Sequence, residues 1–265
     1  MIECSICGNK TFNLKFHYLK KPKKETDFKI NKKKYERFYI ECKKCLHLFS
    51  LMSFDLNNLY SKNYSKLTYG KKILKIFHKI NNLPNQKSDN YFRVKRFIKF
   101  FMLENKIKGK FLDIGSGTGI FPYKLKKLNL NIDCIELDEN FKKHLVRNLS
   151  LNLVENNYKD KRHKAKYDVI SINKVLEHVD SPKNFLKDIS LILKKDGYIY
   201  FEVPDAQKAS KFGKNREELF IEHIHGFSKK SIKLLFTSNK FLIKDFKSIK
   251  EPSGKFTLYG FAKKI

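Results

Sequence analysis

Three clusters of residues in this chain have the types and spacing that chemistry needs. Four cysteines fall in two pairs, Cys4-x-x-Cys7 and Cys42-x-x-Cys45. Each pair presents two thiolates from one tight turn, and two such turns facing each other make a tetrahedral site for a structural Zn2+ ion. A disulfide or a redox-active pair is the alternative. His47 follows Cys45 closely, but four thiolates already close such a site, so it reads as a bystander. Cys134 stands alone in an apolar stretch and reads as core.

The second cluster is Lys110-Phe111-Leu112-Asp113-Ile114-Gly115-Ser116-Gly117-Thr118-Gly119. It reads as a short apolar strand that enters a loop with glycine at every second position. Such a loop turns sharply and lets a ligand touch bare main chain and the N-terminus of the following helix. The dinucleotide fingerprint G-x-G-x-x-G would need its third glycine at 120, where Ile120 stands. Glu136-Leu137 close a second apolar strand, and a carboxylate there can reach a ribose diol from the neighbouring strand.

The third cluster is split. Glu177-His178 follow an apolar strand that ends at Asn173, and Glu222-His223-Ile224-His225 precede Ser228, a helix cap. Histidine is the side chain best suited to take a proton near neutral pH. The alternative for both pairs is a hydrogen-bonded loop–helix junction.

These residues need a scaffold. Residues 1–50 read as a zinc-ribbon-like module with strands at 12–18 and 35–40. Such a module buries little core, so the metal supplies its stability. Residues 51–108 read as a helical connector. Short aromatic stretches at 55–60 and 64–70 offer Tyr60, Tyr64 or Tyr69 as covers for a ligand. Apolar residues recur at helical spacing over 73–80, and Asp89 is placed to cap a helix that buries Phe97 and Phe101. Residues 109–265 alternate strand and helix, the pattern of a doubly wound α/β sheet. Strands are expected at 110–114, 131–136, 151–155, 167–173 and 198–203. Helices start at Ile120, Glu139, Ser181-Pro182 and Ser228, and Gly197 is read as the end of the third. A closing hairpin spans 241–249 and 255–262.

Lysine and arginine exceed acidic residues by 57 to 27, a net charge of +30. That field attracts nucleic acid or an acidic small substrate such as a nucleotide-linked sugar. The lysines are spread along the whole chain, which equally fits a lysine-rich background. No apolar run of 18 residues predicts a membrane span, and the N-terminus lacks the features of a signal peptide, so a cytoplasmic protein is expected.

The D-x-G-x-G-x-G loop from Asp113 to Gly119, followed by Glu136, resembles the class I S-adenosylmethionine-dependent methyltransferases. The resemblance implies a Rossmann-like sheet with S-adenosylmethionine as cofactor. It places Asp113, Gly115, Ser116, Gly117 and Gly119 around the methionine end, Glu136 and Leu137 at the ribose, and Asn173 near the reacting methyl. Residues 168–182 are similar to the fourth-motif region of small-molecule methyltransferases. Some relatives carry a further glutamate three residues before the Glu-His pair and bind a divalent metal there; this chain has Lys174, which argues against catalytic magnesium. The Glu222-His223-x-x-x-Phe227-Ser228 pattern beside an N-terminal Cys4 module resembles the sugar C-methyltransferases. Their tyrosine before the pair is replaced by Phe220 or Ile221, and their large C-terminal domain has no counterpart in these residues. Carried over, His223 is the base, oriented by Glu222, with His178 as runner-up. The expected activity is methyl transfer to a small polar substrate, a sugar or nucleotide-linked sugar. The alternative is an RNA methyltransferase that grips RNA with the zinc module and basic surface. A third reading, a zinc-ribbon interaction protein with a degenerate core, conflicts with the intact glycine loop.

Overall fold

The N-terminal sheet grows from alternation. In β1 (Phe12–Tyr18) and β2 (Arg37–Cys42) the strands pair antiparallel, and Arg37 and Tyr39 turn to one buried face while Cys42 is buried on the other. β3 (Leu48–Met52) adds to β2 antiparallel and runs across the expected module boundary at residue 50. The computed structural model describes residues 2–28, 30–31, 35–52, 70–155 and 164–265. The aromatic stretches at 55–60 and 64–69, with Tyr60, Tyr64 and Tyr69, lie outside the described residues.

Helix α1 (Ile73–Asn81) buries Ile73 and Phe77, one turn apart. Helix α2 (Asp89–Leu103) is capped by Ser88, whose side chain accepts from the Tyr91 amide at 3.2 Å, rather than by Asp89 as expected. The Asp89 carboxylate instead holds the hairpin turn, accepting from Ser253 N and Oγ at 3.0 and 2.6 Å.

The second sheet then forms in order of sequence: β4 (Lys110–Ile114), α3 (Ile120–Lys127), β5 (Asn131–Ile135), α4 (Glu139–Leu149), β6 (Asn152–Leu153), β7 (Tyr167–Asn173), α5 (Pro182–Ile192), β8 (Leu193–Pro204) and the single-turn helix α6 (Ala206–Ala209). After them come a two-residue strand β9 (His225–Gly226), α7 (Lys229–Ser238), β10 (Phe241–Lys250) and β11 (Phe256–Lys264). Seven strands lie in the order β10-β11-β8-β7-β4-β5-β6. The inner strands are parallel, and β11 runs antiparallel between β8 and β10. α5 stops at Ile192, earlier than the glycine signal suggested: β8 starts at Leu193, bulges, and passes through Gly197.

Both faces of the sheet are covered, which is why its strands read as near-continuous apolar runs. Leu112, Ile170, Ile172 and Phe201 pack against Leu186 and Ile189 of α5 and Ile232 and Phe236 of α7. Phe111, Val169 and Tyr200 pack on the opposite side against Phe97 and Phe101 of α2 and Phe121 of α3. The fold is the Rossmann-like α/β arrangement expected. β9 leaves this body and extends the N-terminal sheet, pairing with β3 as Leu48↔Gly226 and Phe49↔His225. Among the described residues no helix is long and apolar enough to cross a membrane.

Candidate active site

β4 lies between β5 and β7, so the chain changes direction across the sheet beside β4. In open α/β sheets ligands bind beyond the carboxyl ends of the strands at this place. A cavity of about 680 Å3 opens there. Gly115, Ser116, Gly117, Glu136, Leu137, Asn173, His178, Glu222 and His223 all line it. Two expected residues, Asp113 and Gly119, are not among its lining.

The glycine loop explains the split. Gly117 has φ +51° and an added Cβ would meet nothing within 4 Å, so it is bare backbone facing open space. Gly119 has φ +74° and an added Cβ would sit 2.6 Å from Leu145 and Leu149, so it is needed for packing against α4. Asp113 is buried beneath the loop, where its Oδ1 accepts from Ser171 Oγ at 2.6 Å and from Asn173 Nδ2 at 3.4 Å. Burial pushes its carboxyl up to about 6. It anchors the far end of β7 to β4 and so sets the height of Asn173.

Glu136 sits one residue past β5. Its Oε2 accepts from Gly117 N at 2.7 Å, and its Oε1 from Leu137 N and Asp138 N at 2.7 and 3.0 Å. Three main-chain donors therefore fix a carboxylate at the cavity wall. Asn173 Oδ1 is buried and lacks a hydrogen-bond partner, so it is available to a donor on a ligand.

A further part of the lining is acid–base. His178 Nδ1 lies 2.7 Å from the main-chain oxygen of Glu222. A carbonyl only accepts, so this nitrogen carries the proton and Nε2 keeps its lone pair. The rings of His178 and His223 are 5.0 Å apart, and His223 Nδ1 is buried without a partner. Burial lowers both imidazoles, His178 to about 4 and His223 well below its ordinary value, so both are neutral at pH 7. Burial raises Glu177 and Glu222 to about 7. The Glu177 carboxylate is fully buried and neither oxygen has a hydrogen-bond partner from another residue. One donor atom each of Glu177, His178 and His223 lies within 4.8 Å of the others. Such a group can pass a proton or hold a single cation.

The cationic residues of the cavity escaped the sequence reading as site residues: Arg93, Lys174 and Lys255. Lys174 adopts φ +59° and donates to Thr257 Oγ1 at 2.9 Å. Arg93 and Arg96 grip the two oxygens of fully buried Glu202 at 2.8 and 2.7 Å, which holds that carboxyl far below its usual range. Two arginines at i, i+3 spacing in a lysine-dominated chain are the signal that was present, since arginine is the cation suited to forked carboxylate pairing.

The cysteines meet as expected. Cys4 and Cys45 sulfurs are 3.5 Å apart, Cys7 and Cys42 are 3.6 Å apart, and all four lie within 4.8 Å of one another. Ligands about 2.3 Å from a tetrahedral zinc are separated by about 3.8 Å, so this donor set fits the ion. All five cysteines are free of disulfides. His47 stands aside from this group: it is buried, and its Nε2 lies 3.0 Å from His225 Nδ1.

Residues 87–243 match the model of a family described as a methyltransferase domain. The ubiquinone biosynthesis O-methyltransferase of Shewanella pealeana is 26% identical over 97 residues, 34% of this chain and 41% of that protein. The enzyme of the same name from Hydrogenovibrio crunogenus is 27% identical over 131 residues, 47% of this chain and 49% of that one. The chain thus spans about half the length or less of these curated relatives. The structure of magnesium protoporphyrin IX methyltransferase from Synechocystis PCC 6803, with S-adenosylhomocysteine bound, superposes with a TM-score of 0.59 at 11% identity. That match covers 80% of this chain and all of the other, and it supports the fold. A glycine loop and carboxylate at the switch point, a seven-stranded sheet and a family match over more than half of its length together make this chain a member of the methyltransferase-domain family.

Proposed function

We propose that the chain transfers a methyl group from S-adenosylmethionine to a small polar substrate, with an oxygen as acceptor and a sugar or nucleotide-linked sugar as the finer reading. One observation carries it: the glycine loop with Glu136 and the neutral imidazoles of His178 and His223 line one cavity. The cofactor supplies an activated methyl on a sulfonium, and the reaction is an in-line displacement. The protein must align the acceptor and take its proton.

Glu136, fixed by three amides, is poised to accept from the ribose hydroxyls. Gly115, Ser116 and Gly117 admit the methionine end, Leu137 flanks the ribose, and Asn173 faces the methyl. His223 is neutral and takes the acceptor proton; Glu222 keeps it in register, and His178, which lines the same cavity, is the alternative base. The O-methyltransferase names of the two curated relatives support an oxygen acceptor; the sugar rests on the resemblance of the Glu222-His223 pattern. In the same reading, Cys4, Cys7, Cys42 and Cys45 hold a structural Zn2+ in the module at 1–50, residues 51–108 connect, and residues 109–265 carry the chemistry.

The test is methyl transfer from labelled S-adenosylmethionine into a lysate separated into small-molecule, RNA and protein fractions. Label in the small-molecule fraction, lost on His223→Ala, is the expected result. Label in RNA would replace the leading reading by the RNA alternative. The clustering of Glu177, His178 and His223 favours a second reading, acceptor activation by a cation. Activity abolished by EDTA and restored by Mg2+ or Mn2+ would support it.

A further inference from the structure

The N-terminal sheet holds the segment that carries Glu222 and His223 almost residue by residue. Arg37 is fully buried and sits over the Tyr18 ring at 4.1 Å. Its Nη2 pairs with Glu25 Oε1 at 3.0 Å, and its Nη1 donates to Leu219 O at 2.9 Å. The same Glu25 oxygen accepts from Ile221 N at 2.7 Å, while Tyr35 donates to the other at 2.6 Å. Tyr39, with no exposure, donates to His223 O and approaches Phe220 O at 3.5 Å. Ser50 N donates to Ile224 O at 2.9 Å, and β9 follows on β3.

A buried ion pair is costly to desolvate, and this one also meets the main chain of a distant segment at Leu219 O and Ile221 N. That segment has little structure of its own: a 3-10 turn at Glu217–Leu219 and a two-residue strand. The cofactor residues stand on β4 and β5. The Glu222–His223 segment is held by the N-terminal module and meets His178, after β7, at the Glu222 carbonyl.

We propose that Glu25, Arg37 and Tyr39 are positioning residues for the Glu222–His223 pair, so that the N-terminal module serves as the scaffold of the acid–base wall. The inference rests on the reading of Glu222 and His223 as the acid–base pair. It adds a purpose for the cysteine module that does not involve gripping nucleic acid.

The test uses full-length Tyr39→Phe, Arg37→Lys and Arg37→Gln proteins and three readouts: calorimetric binding of S-adenosylhomocysteine, amide hydrogen exchange, and imidazole proton–nitrogen NMR signals. Loss of one buried hydrogen bond should speed exchange across 220–226 about tenfold. The His223 and His178 signals should move while that of His144 stays, and S-adenosylhomocysteine affinity should remain within about twofold, since the cofactor wall is untouched. Arg37→Lys, which keeps the charge facing Glu25, should recover part of the protection that Arg37→Gln loses. Unchanged exchange at 220–226 with unmoved His223 signals would overturn the proposal. So would a loss of protection in Tyr39→Phe spread equally over β4 and β7. If the Arg37 variants do not fold, Tyr39→Phe carries the test. Full methyl transfer by His223→Ala would instead overturn the acid–base reading and leave the exchange result standing.

Discussion

Glu177 and His178 are neighbours whose ionisations are driven in opposite directions by the same burial, and this gives the molecule two opposed pH dependences. Burial lowers His178 to about 4 from an ordinary value near 6.5. The unfolded chain therefore takes up a proton first, and the stability that neutral His178 contributes is full above about pH 6.5 and lost as pH falls towards 4. The ring is partly exposed, so the loss is at most about 3 kcal/mol. Glu177 is raised to about 7. Its contribution is present below about pH 4.5 and lost as pH rises towards 7. The two slopes oppose each other over about pH 4.5 to 6.5, so urea unfolding from pH 4 to 7.5 resolves them through single variants. His178→Asn should flatten the acid loss, and Glu177→Gln should gain stability relative to wild type as pH rises. Identical pH slopes in all three proteins would contradict these assignments. The types of these residues and their place after an apolar strand were legible in the sequence. The burial that shifts their ionisation was not, because it depends on what covers them: the Glu222 carbonyl that meets His178 lies 44 residues away.

At the scale of elements, the glycine loop divides into a ligand-facing and a packing-facing half. Gly117→Ala meets open space but keeps an unfavourable φ, so it should cost about 1 kcal/mol of stability and weaken S-adenosylhomocysteine binding by tenfold or more. Gly119→Ala drives a methyl into Leu145 and Leu149 and should lower the melting temperature by several degrees. The opposite pattern would mean that the loop's roles are reversed. The cysteine cluster makes a further prediction on the proposed zinc reading. Chelation should release β1–β3 and raise amide exchange over 219–228, while S-adenosylhomocysteine still binds; loss of both together would place the cysteine site in the cofactor wall's support.

Strongly patterned elements such as β4, β7, α5's start and the closing hairpin could be read from alternation, apolar runs and caps. β3 and β9 could not: β9 has two residues, and their pairing joins segments about 180 residues apart. The Glu25–Arg37 clamp was hidden for the same reason, since its value lies in contacts 182 and 196 residues away along the chain. Ser88 outcompeted Asp89 as a cap because the turn of the closing hairpin claims the aspartate.

For the whole molecule, composition spoke to charge and the motifs spoke to chemistry. The net charge of +30 remains the best support for the RNA alternative. The docking of the cysteine module against residues 219–228 gives that module a structural role in the same chain. The most direct measurement of the central claim is a calorimetric titration of the full chain with S-adenosylhomocysteine, repeated on Glu136→Ala. Saturable one-site binding by the wild type, weakened at least tenfold in the variant, is the predicted result. No binding by folded wild-type protein, or equal binding by the two, would contradict the placement of the cofactor between the glycine loop and Glu136.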